Sequence, residues 1–182
     1  MKPFIQIKRH LDGEPHYMNL VIIACNGCAM GSQEIYLNPE HIQEIGEQLI
    51  DFPKHDRSNF LFERGSERPE DNFAWYFRLR AFVKGRLEKC AIQIRLNNNE
   101  THNKHRRPDE AASPYQPQIT DFCINLDAED IRRLGDLLVD FSKLEHDRLY
   151  WTHDSGYVDN VVGQPPDNRG EVEKEAFAVL SK

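Results

Sequence analysis

Two cysteines separated by two residues are the most chemically suggestive feature of this sequence. Cys25 and Cys28 enclose Asn-Gly, and a Cys-x-x-Cys pair can supply half of a zinc site, a redox couple or the ends of a tight turn. Asn-Gly between two apolar runs favours the turn, because both residues accept the positive φ angles of a type I′ hairpin. We therefore predict a hairpin in which the two cysteines face each other across its first residue pair.

A zinc site would need more than this pair, since zinc takes about four ligands. The remaining candidate ligands are His102 and His105, in the loop that takes the place of the Cys-x-x-Cys turn in the second half of the chain. Cys90 is predicted to face the core and Cys123 to face away from it, so neither completes the set. The prediction is no metal and no cofactor, with zinc at the cysteine and histidine pairs as the alternative.

A second candidate site combines arginines with a tyrosine. Tyr76, Arg78 and Arg80 alternate with apolar residues in "WYFRLRAF", and Arg95 alternates with its apolar neighbours in "IQIRL". Arginines and an aromatic residue on an open sheet face are typical of proteins that bind single-stranded nucleic acid. An ordinary solvated face gives the same pattern, and the net charge of −7 disfavours a nucleic-acid partner.

An internal duplication indicates which elements position these residues. The segments "LNPEHIQEIGEQLIDFPK" (37–54) and "LDAEDIRRLGDLLVDFSK" (126–143) share eight identical residues at a constant offset. Each has an N-cap residue, Asn38 or Asp127, followed by apolar residues at helical spacing. Gly46 and Gly135 interrupt both helices at the same position, and we expect each to allow a close approach of its helix to the sheet.

Alternating strands precede both helices, which predicts an α+β fold. The expected architecture is a duplicated βββα unit, with antiparallel sheets and the two equivalent helices packed on one face. The duplicated domain would span 1–147, with repeats at about 3–54 and 73–143 and a mobile loop at 97–118. A short extra strand, "NFLF", is predicted between the halves.

Residues 148–182 are predicted to be a C-terminal extension, with an arm, a linker and a short helix. In that helix, "EVEKEAFAVLSK", the apolar residues gather on one side. Val172, Ala176, Phe177, Val179 and Leu180 form this side. Such a helix docks either on its own domain or on a partner, and its own domain is the favoured site because exposed apolar patches are usually avoided.

The run "YLNPEHIQEIGEQLIDFP", followed by "FLFERGSE", "YFRLRAFVKGRLEKCAIQIRL" and "INLDAEDIRRLGDLLVDF", resembles a broad group of bacterial α+β proteins without an assigned activity. The resemblance covers most of 15–143 and implies a fold, not an activity. Small acidic proteins of this kind are similar to bacterial toxin-immunity proteins, and the doubled sheet-plus-helix units resemble the Whirly and PUR-type nucleic-acid binders.

These features together predict a non-catalytic protein that binds or inhibits another protein, as immunity proteins do. The sequence has no Gly-rich phosphate loop, GxSxG or HExxH motif, so an enzyme of unfamiliar type remains an alternative without named residues. No apolar run is long enough for a signal peptide or a membrane span, which predicts a cytoplasmic protein that does not bind membranes. A homodimer is left open.

Overall fold

The computed structural model describes residues 1–10, 18–85, 89–98 and 119–160. Within these ranges the chain forms an α+β fold in which every strand pair is antiparallel, as predicted. Its elements are β1 (Phe4–His10), β2 (Met18–Cys25), β3 (Met30–Leu37), α1 (Pro39–Ile50), β4 (Asn59–Gly65), a short 3₁₀ helix (Pro69–Asp71), β5 (Trp75–Val83), β6 (Cys90–Asn98), β7 (Ile119–Leu126), α2 (Ala128–Phe141), β8 (Arg148–Thr152) and β9 (Gly156–Asp159).

The strands form two sheets. The first sheet has the order β3-β2-β1-β8-β9 and the second has the order β4-β5-β6-β7. Three strands followed by a helix occur in each half, although an origin by duplication stays a prediction. The first part of the predicted C-terminal extension forms β8 and β9 and continues the first sheet beside β1. The first two residues of the predicted loop at 97–118 end β6, and the rest of the loop lies outside the described residues. The predicted C-terminal helix also lies outside them.

Both helices begin as the sequence predicts. The backbone N–H of Asn38 donates to Nδ1 of His41 at 3.4 Å, and the backbone N–H of Asp127 donates to Oδ2 of Asp130 at 3.1 Å. In each case the side chain three residues into the helix satisfies the N-cap amide, which is half of a capping box. The two helices therefore start with equivalent local chemistry.

The inner face of each sheet packs against the helices in a single core. Apolar side chains from both sheets and both helices belong to one buried cluster. Residues from both sheets and both helices also line an internal cavity of about 30 Å³. Trp151 on β8 is fully buried, and its indole N–H donates to the carbonyl of Asp130 on α2 at 3.1 Å. The outer faces of the two sheets point away from this core.

The glycine prediction is correct in its need for close packing but wrong about the partner. A Cβ placed on Gly46 would lie 2.8 Å from the carbonyl oxygen of Gly135, and one on Gly135 would lie 2.7 Å from the carbonyl oxygen of Gly46. The same added atoms would meet Val139 and Ile50, each four residues further along the facing helix. The glycines therefore let the helices cross each other at short range, and the atoms nearest to each added Cβ belong to the other helix.

Among the described residues, no helix is both long enough and apolar enough to span a membrane.

Candidate functional site

The arginines predicted as a binding site lie together on the outer face of the second sheet. Arg78 on β5 pairs with Arg95 on β6, while Glu63 on β4 lies opposite Arg78 and Asp121 on β7 lies opposite Arg95. Directly paired residues of neighbouring strands project from the same side of a sheet. The four residues thus form a row with a carboxylate at each end and two arginines between, which we call the charged row.

Ion pairs hold the arginines of the charged row in place. Nη1 of Arg95 lies 3.0 Å from Oδ2 of Asp121, and its Nη2 lies 2.8 Å from Oε1 of Glu67. Arg78 contacts the same oxygen of Asp121 at 3.2 Å. The hydrogen bond to Glu67 is the main cause that raises the pKa of Arg95 above its ordinary value. Each arginine of the row therefore already binds a carboxylate of its own chain.

The other two predicted residues, on the same face of β5, are also engaged. Tyr76 is only 9% exposed, and its hydroxyl donates to Glu63. Burial, and then this hydrogen bond, raise the pKa of Tyr76 to about 12. Arg80 donates from Nε to Oδ1 of Asn59 at 2.6 Å and stacks over the ring of Phe82 at 5.0 Å. A phosphate backbone would have to displace several of these contacts, which disfavours binding of single-stranded nucleic acid here.

The Asn-Gly hairpin turn is present, but it is shifted by one residue from the prediction. The N–H of Asn26 donates to the carbonyl of Ala29 at 3.1 Å, so Gly27 and Cys28 are the central residues. Oδ1 of Asn26 accepts the N–H groups of Cys28 and Ala29 at 2.9 and 2.8 Å. This side-chain bonding, an Asx turn, makes Asn26 the first residue of the turn, and Gly27 supplies the positive φ of 96°.

The shift also separates the two cysteines, which were expected to face each other. Cys25 pairs with Met30 across the hairpin and is buried, whereas Cys28 lies in the turn and is exposed. The paired geometry predicted for them is therefore wrong. Of the other proposed zinc ligands, His102 and His105 lie outside the described residues. In the described part of the chain, no three His, Cys, Asp or Glu side chains are grouped as metal ligands.

The outer face of the first sheet has a different character, which the sequence analysis missed. Phe4, Val21, Ile23 and Cys25 form a second apolar cluster there, and Met30 and Tyr150 pack against it. Together with Tyr157 we call this surface the aromatic face. All eight residues of β2 are buried and all but Asn19 are apolar, so both sides of this strand are mainly apolar, unlike a strand with water on one side. The unbroken run "LVIIAC" in the sequence carried this signal.

Stacked rings and a concavity give the aromatic face a defined shape. The rings of Phe4 and Tyr150 stack at 5.8 Å, and those of Tyr150 and Tyr157 at 5.5 Å. A concavity of about 340 Å³ lies beside them. It is lined by Met1, Lys2, Phe4, Gln6, Ile23, Met30 and Tyr150. Tyr157 retains 44% of its exposure at the rim, so an apolar ligand surface could contact it directly.

A polar boundary limits the aromatic face on one side. Arg148 donates from Nε to Oδ1 of Asp159 at 2.7 Å, and its guanidinium lies 5.5 Å from the centre of the Tyr157 ring. The hydrogen bond to Asp159 is the main cause that raises the pKa of Arg148 and lowers that of Asp159. An apolar centre with a polar edge is the usual composition of a protein-binding surface.

Comparisons with known proteins give little further information. No family model matches the chain, and no curated protein sequence matches it. A search of solved structures found a similarity to "CdiA-CT/CdiI toxin and immunity complex from Enterobacter cloacae". The match has a TM-score of 0.39 and 10% sequence identity, and it covers 74% of this chain and 97% of the matched chain. A likeness at this level carries no functional inference, so function is inferred from the surface of this chain alone.

Proposed function

We propose that this protein is a non-catalytic protein-binding module and that the aromatic face is its binding surface. The observation that carries the proposal is the contrast between the two outer sheet faces. The middle of the second sheet's outer face has charged and polar side chains that bind one another, with single exposed apolar residues, Leu61 and Ile119, on the edge strands. The first sheet instead has stacked aromatic rings beside a mainly apolar concavity. Exposed apolar surface marks interaction sites in soluble proteins, and here the 44% exposed ring of Tyr157 stacks on Tyr150 beside the buried apolar cluster.

The composition of the aromatic face supports a protein as the ligand. Tyrosine, phenylalanine and methionine are enriched in the centres of protein interfaces, where they supply large contact areas at a low cost in side-chain entropy. Tyr150 stacks on a ring at each side, so its orientation is already fixed before a partner binds. Preorganisation of this kind strengthens binding because less freedom is lost on association.

The net charge of −7 favours a basic partner. A specific form of the proposal is immunity-like inhibition, in which this protein covers the active surface of a toxin. That form predicts a partner that harms cells when expressed alone and is harmless when co-expressed with this protein. We also propose a cytoplasmic location, because its four cysteines are free and a reducing compartment keeps thiols in that state.

Affinity capture followed by quantitative mass spectrometry tests the proposal. The 182-residue protein and its Tyr157→Ser variant would be compared in nuclease-treated lysate of the source organism. The matched control is Ile119→Ser, because Ile119 is 57% exposed on the outer face of the second sheet. We expect one stoichiometric protein partner, bound at least about tenfold more weakly by Tyr157→Ser, which corresponds to about 1.4 kcal/mol, and bound normally by Ile119→Ser.

Two results would contradict the proposal. A partner that is lost with Ile119→Ser and retained with Tyr157→Ser would place the binding surface on the second sheet. Capture that disappears after nuclease treatment would instead support nucleic-acid binding, for which the first residues to test are Arg78, Arg80 and Arg95.

A further inference from the structure

We infer that the outer face of the first sheet binds one Cu(I) ion, with the sulfur atoms of Cys25, Met1 and Met30 as its ligands. Thiolate and thioether sulfur are the donors that favour soft metal ions such as Cu(I). The site lies beside the turn between β2 and β3, and the inference does not rest on the proposed function.

The hairpin of β2 and β3 brings two of the three sulfur-bearing side chains together. The Asx turn at Asn26 makes Cys25 and Met30 the last residue pair of the two strands. Directly opposite residues project from the same side of a sheet, with Cβ atoms about 5 Å apart. Cys25 is 2% exposed and belongs to the outer apolar cluster, and Met30 packs against that cluster. The thiol and the thioether therefore share one small region of the sheet.

The residues that precede β1 add the third sulfur atom. The Cys25 thiol donates to Sδ of Met1 at 3.7 Å. Gly27 in the turn leaves room for this end of the chain, since a Cβ added there would lie 2.9 Å from the carbonyl oxygen of Met1. Met1 and Met30 also line the same concavity. Three sulfur ligands thus converge from two parts of the chain.

The spacing of the sulfur atoms suits a three-coordinate ion. Metal–thiolate bonds are about 2.3 Å long, so three sulfur atoms around one ion in a plane lie about 4 Å apart. The distance of 3.7 Å between Sγ of Cys25 and Sδ of Met1 is close to this value. The ion replaces the thiol proton of Cys25, which passes to water. The backbone N–H of Gly27 donates to the same sulfur at 3.2 Å and stabilises the thiolate that remains.

Charge and ligand type favour Cu(I) over Zn²⁺. One thiolate and one monovalent ion form a neutral centre, which can lie beside Phe4 and Ile23 without burial of a net charge. Zn²⁺ would leave a positive charge there, and its sites use Cys, His, Asp and Glu side chains. No three side chains of those types are grouped within the described ranges. Met1 is 69% exposed, so its thioether can take the ion directly from water.

The test uses the 182-residue chain with its two exposed thiols removed by Cys28→Ser/Cys123→Ser, which prevents adventitious binding at those positions. This parent and its Met30→Leu variant would be titrated with Cu(I) in oxygen-free buffer against a colorimetric Cu(I) chelator. Met30→Leu keeps a side chain of similar volume and removes the thioether. Met18→Leu is the matched control, because Met18 is buried in the main core on the other side of the sheet.

We expect the parent to bind one equivalent of Cu(I) and Met30→Leu to bind it at least about tenfold more weakly, whereas Met18→Leu should match the parent. Methionine methyl NMR gives a second readout with Ag(I), a redox-inert ion of the same charge and similar softness. One equivalent of Ag(I) should shift the methyl resonances of Met1 and Met30 and leave that of Met18 unchanged.

Three results would overturn the inference. The first is equal Cu(I) affinity of the parent and Met30→Leu, or a Met30 methyl resonance that does not move with Ag(I). The second is full Cu(I) binding by Cys25→Ser, because the remaining thiol, Cys90, lies in the main core. The third is displacement of bound Cu(I) by one equivalent of Zn²⁺, which would contradict the preference for a soft monovalent ion.

Discussion

The crossing of the two helices at their glycines gives the sharpest test of the fold, through Gly135→Ala. The new Cβ would lie 2.7 Å from both the carbonyl oxygen of Gly46 and the backbone nitrogen of Ile50. Both are backbone atoms, so a side-chain rotation cannot relieve the contact and the helices must separate. Overpacking of this kind costs about 3 kcal/mol at the upper end of its range, whereas alanine gains about 1 kcal/mol in helix propensity over glycine. We therefore expect the free energy of unfolding to fall by about 2 kcal/mol.

Urea denaturation followed by far-UV circular dichroism measures this change. Asp136→Ala is the matched control, because Asp136 follows Gly135 in the same helix and its side chain is exposed. This replacement should change the unfolding free energy by less than about 0.5 kcal/mol. The double variant Gly46→Ala/Gly135→Ala should cost less than the sum of its single variants, since one separation of the helices accommodates both methyl groups. A neutral Gly135→Ala, or additive costs in the double variant, would refute the close helix crossing.

Three further predictions concern single side chains. Because the pKa of Tyr76 is raised from 10.0 to about 12, the folded state retains a proton that the unfolded state loses in this range. The unfolding free energy should thus be unaffected by Tyr76 below pH 10 and fall between pH 10 and 12. This fall should be shallower in Tyr76→Phe. Urea titrations in which the unfolding free energies of both proteins fall equally with pH would contradict this. Asp121→Asn should lower the unfolding free energy by about 1 kcal/mol in low salt and by less in 1 M salt, because two adjacent arginines lose a shared carboxylate; the same loss at both salt concentrations would argue against an ionic cause. In the native protein, the exposed thiols of Cys28 and Cys123 should react rapidly with a disulfide reagent and Cys90 slowly, because Cys90 is buried and burial raises its pKa; rapid reaction of Cys90 without unfolding would contradict its place in the core.

Local chemistry was readable from the sequence. The N-caps at Asn38 and Asp127, the apolar stripes of both helices and the strands before them depend on residues within a few positions of each other. The extra strand predicted as "NFLF" is also present, as part of Asn59–Gly65. These features needed no knowledge of which elements are neighbours in space.

The features that could not be predicted from the sequence depend on long-range contacts. The partner of Gly46 is on a helix in the other half of the chain, and periodicity alone cannot distinguish a helix from a sheet as the surface that requires a glycine. The charges of Arg78 and Arg95 are compensated by Glu67 and Asp121, which only the strand register and the intervening loop bring near. The hairpin error at Asn26 was local, because the side-chain hydrogen bonds of an Asx turn competed with the type I′ geometry.

The position of β1 between β2 and β8 has a consequence for how the protein is made. Translation produces β1 and β2 early, whereas β8 starts only at Arg148, so the first sheet cannot be completed until most of the chain has left the ribosome. Pairing between such distant segments slows folding, and until then one edge of β1 has unpaired backbone groups that could bind another strand. The nascent chain is therefore most exposed to misassembly before the β8–β9 hairpin emerges.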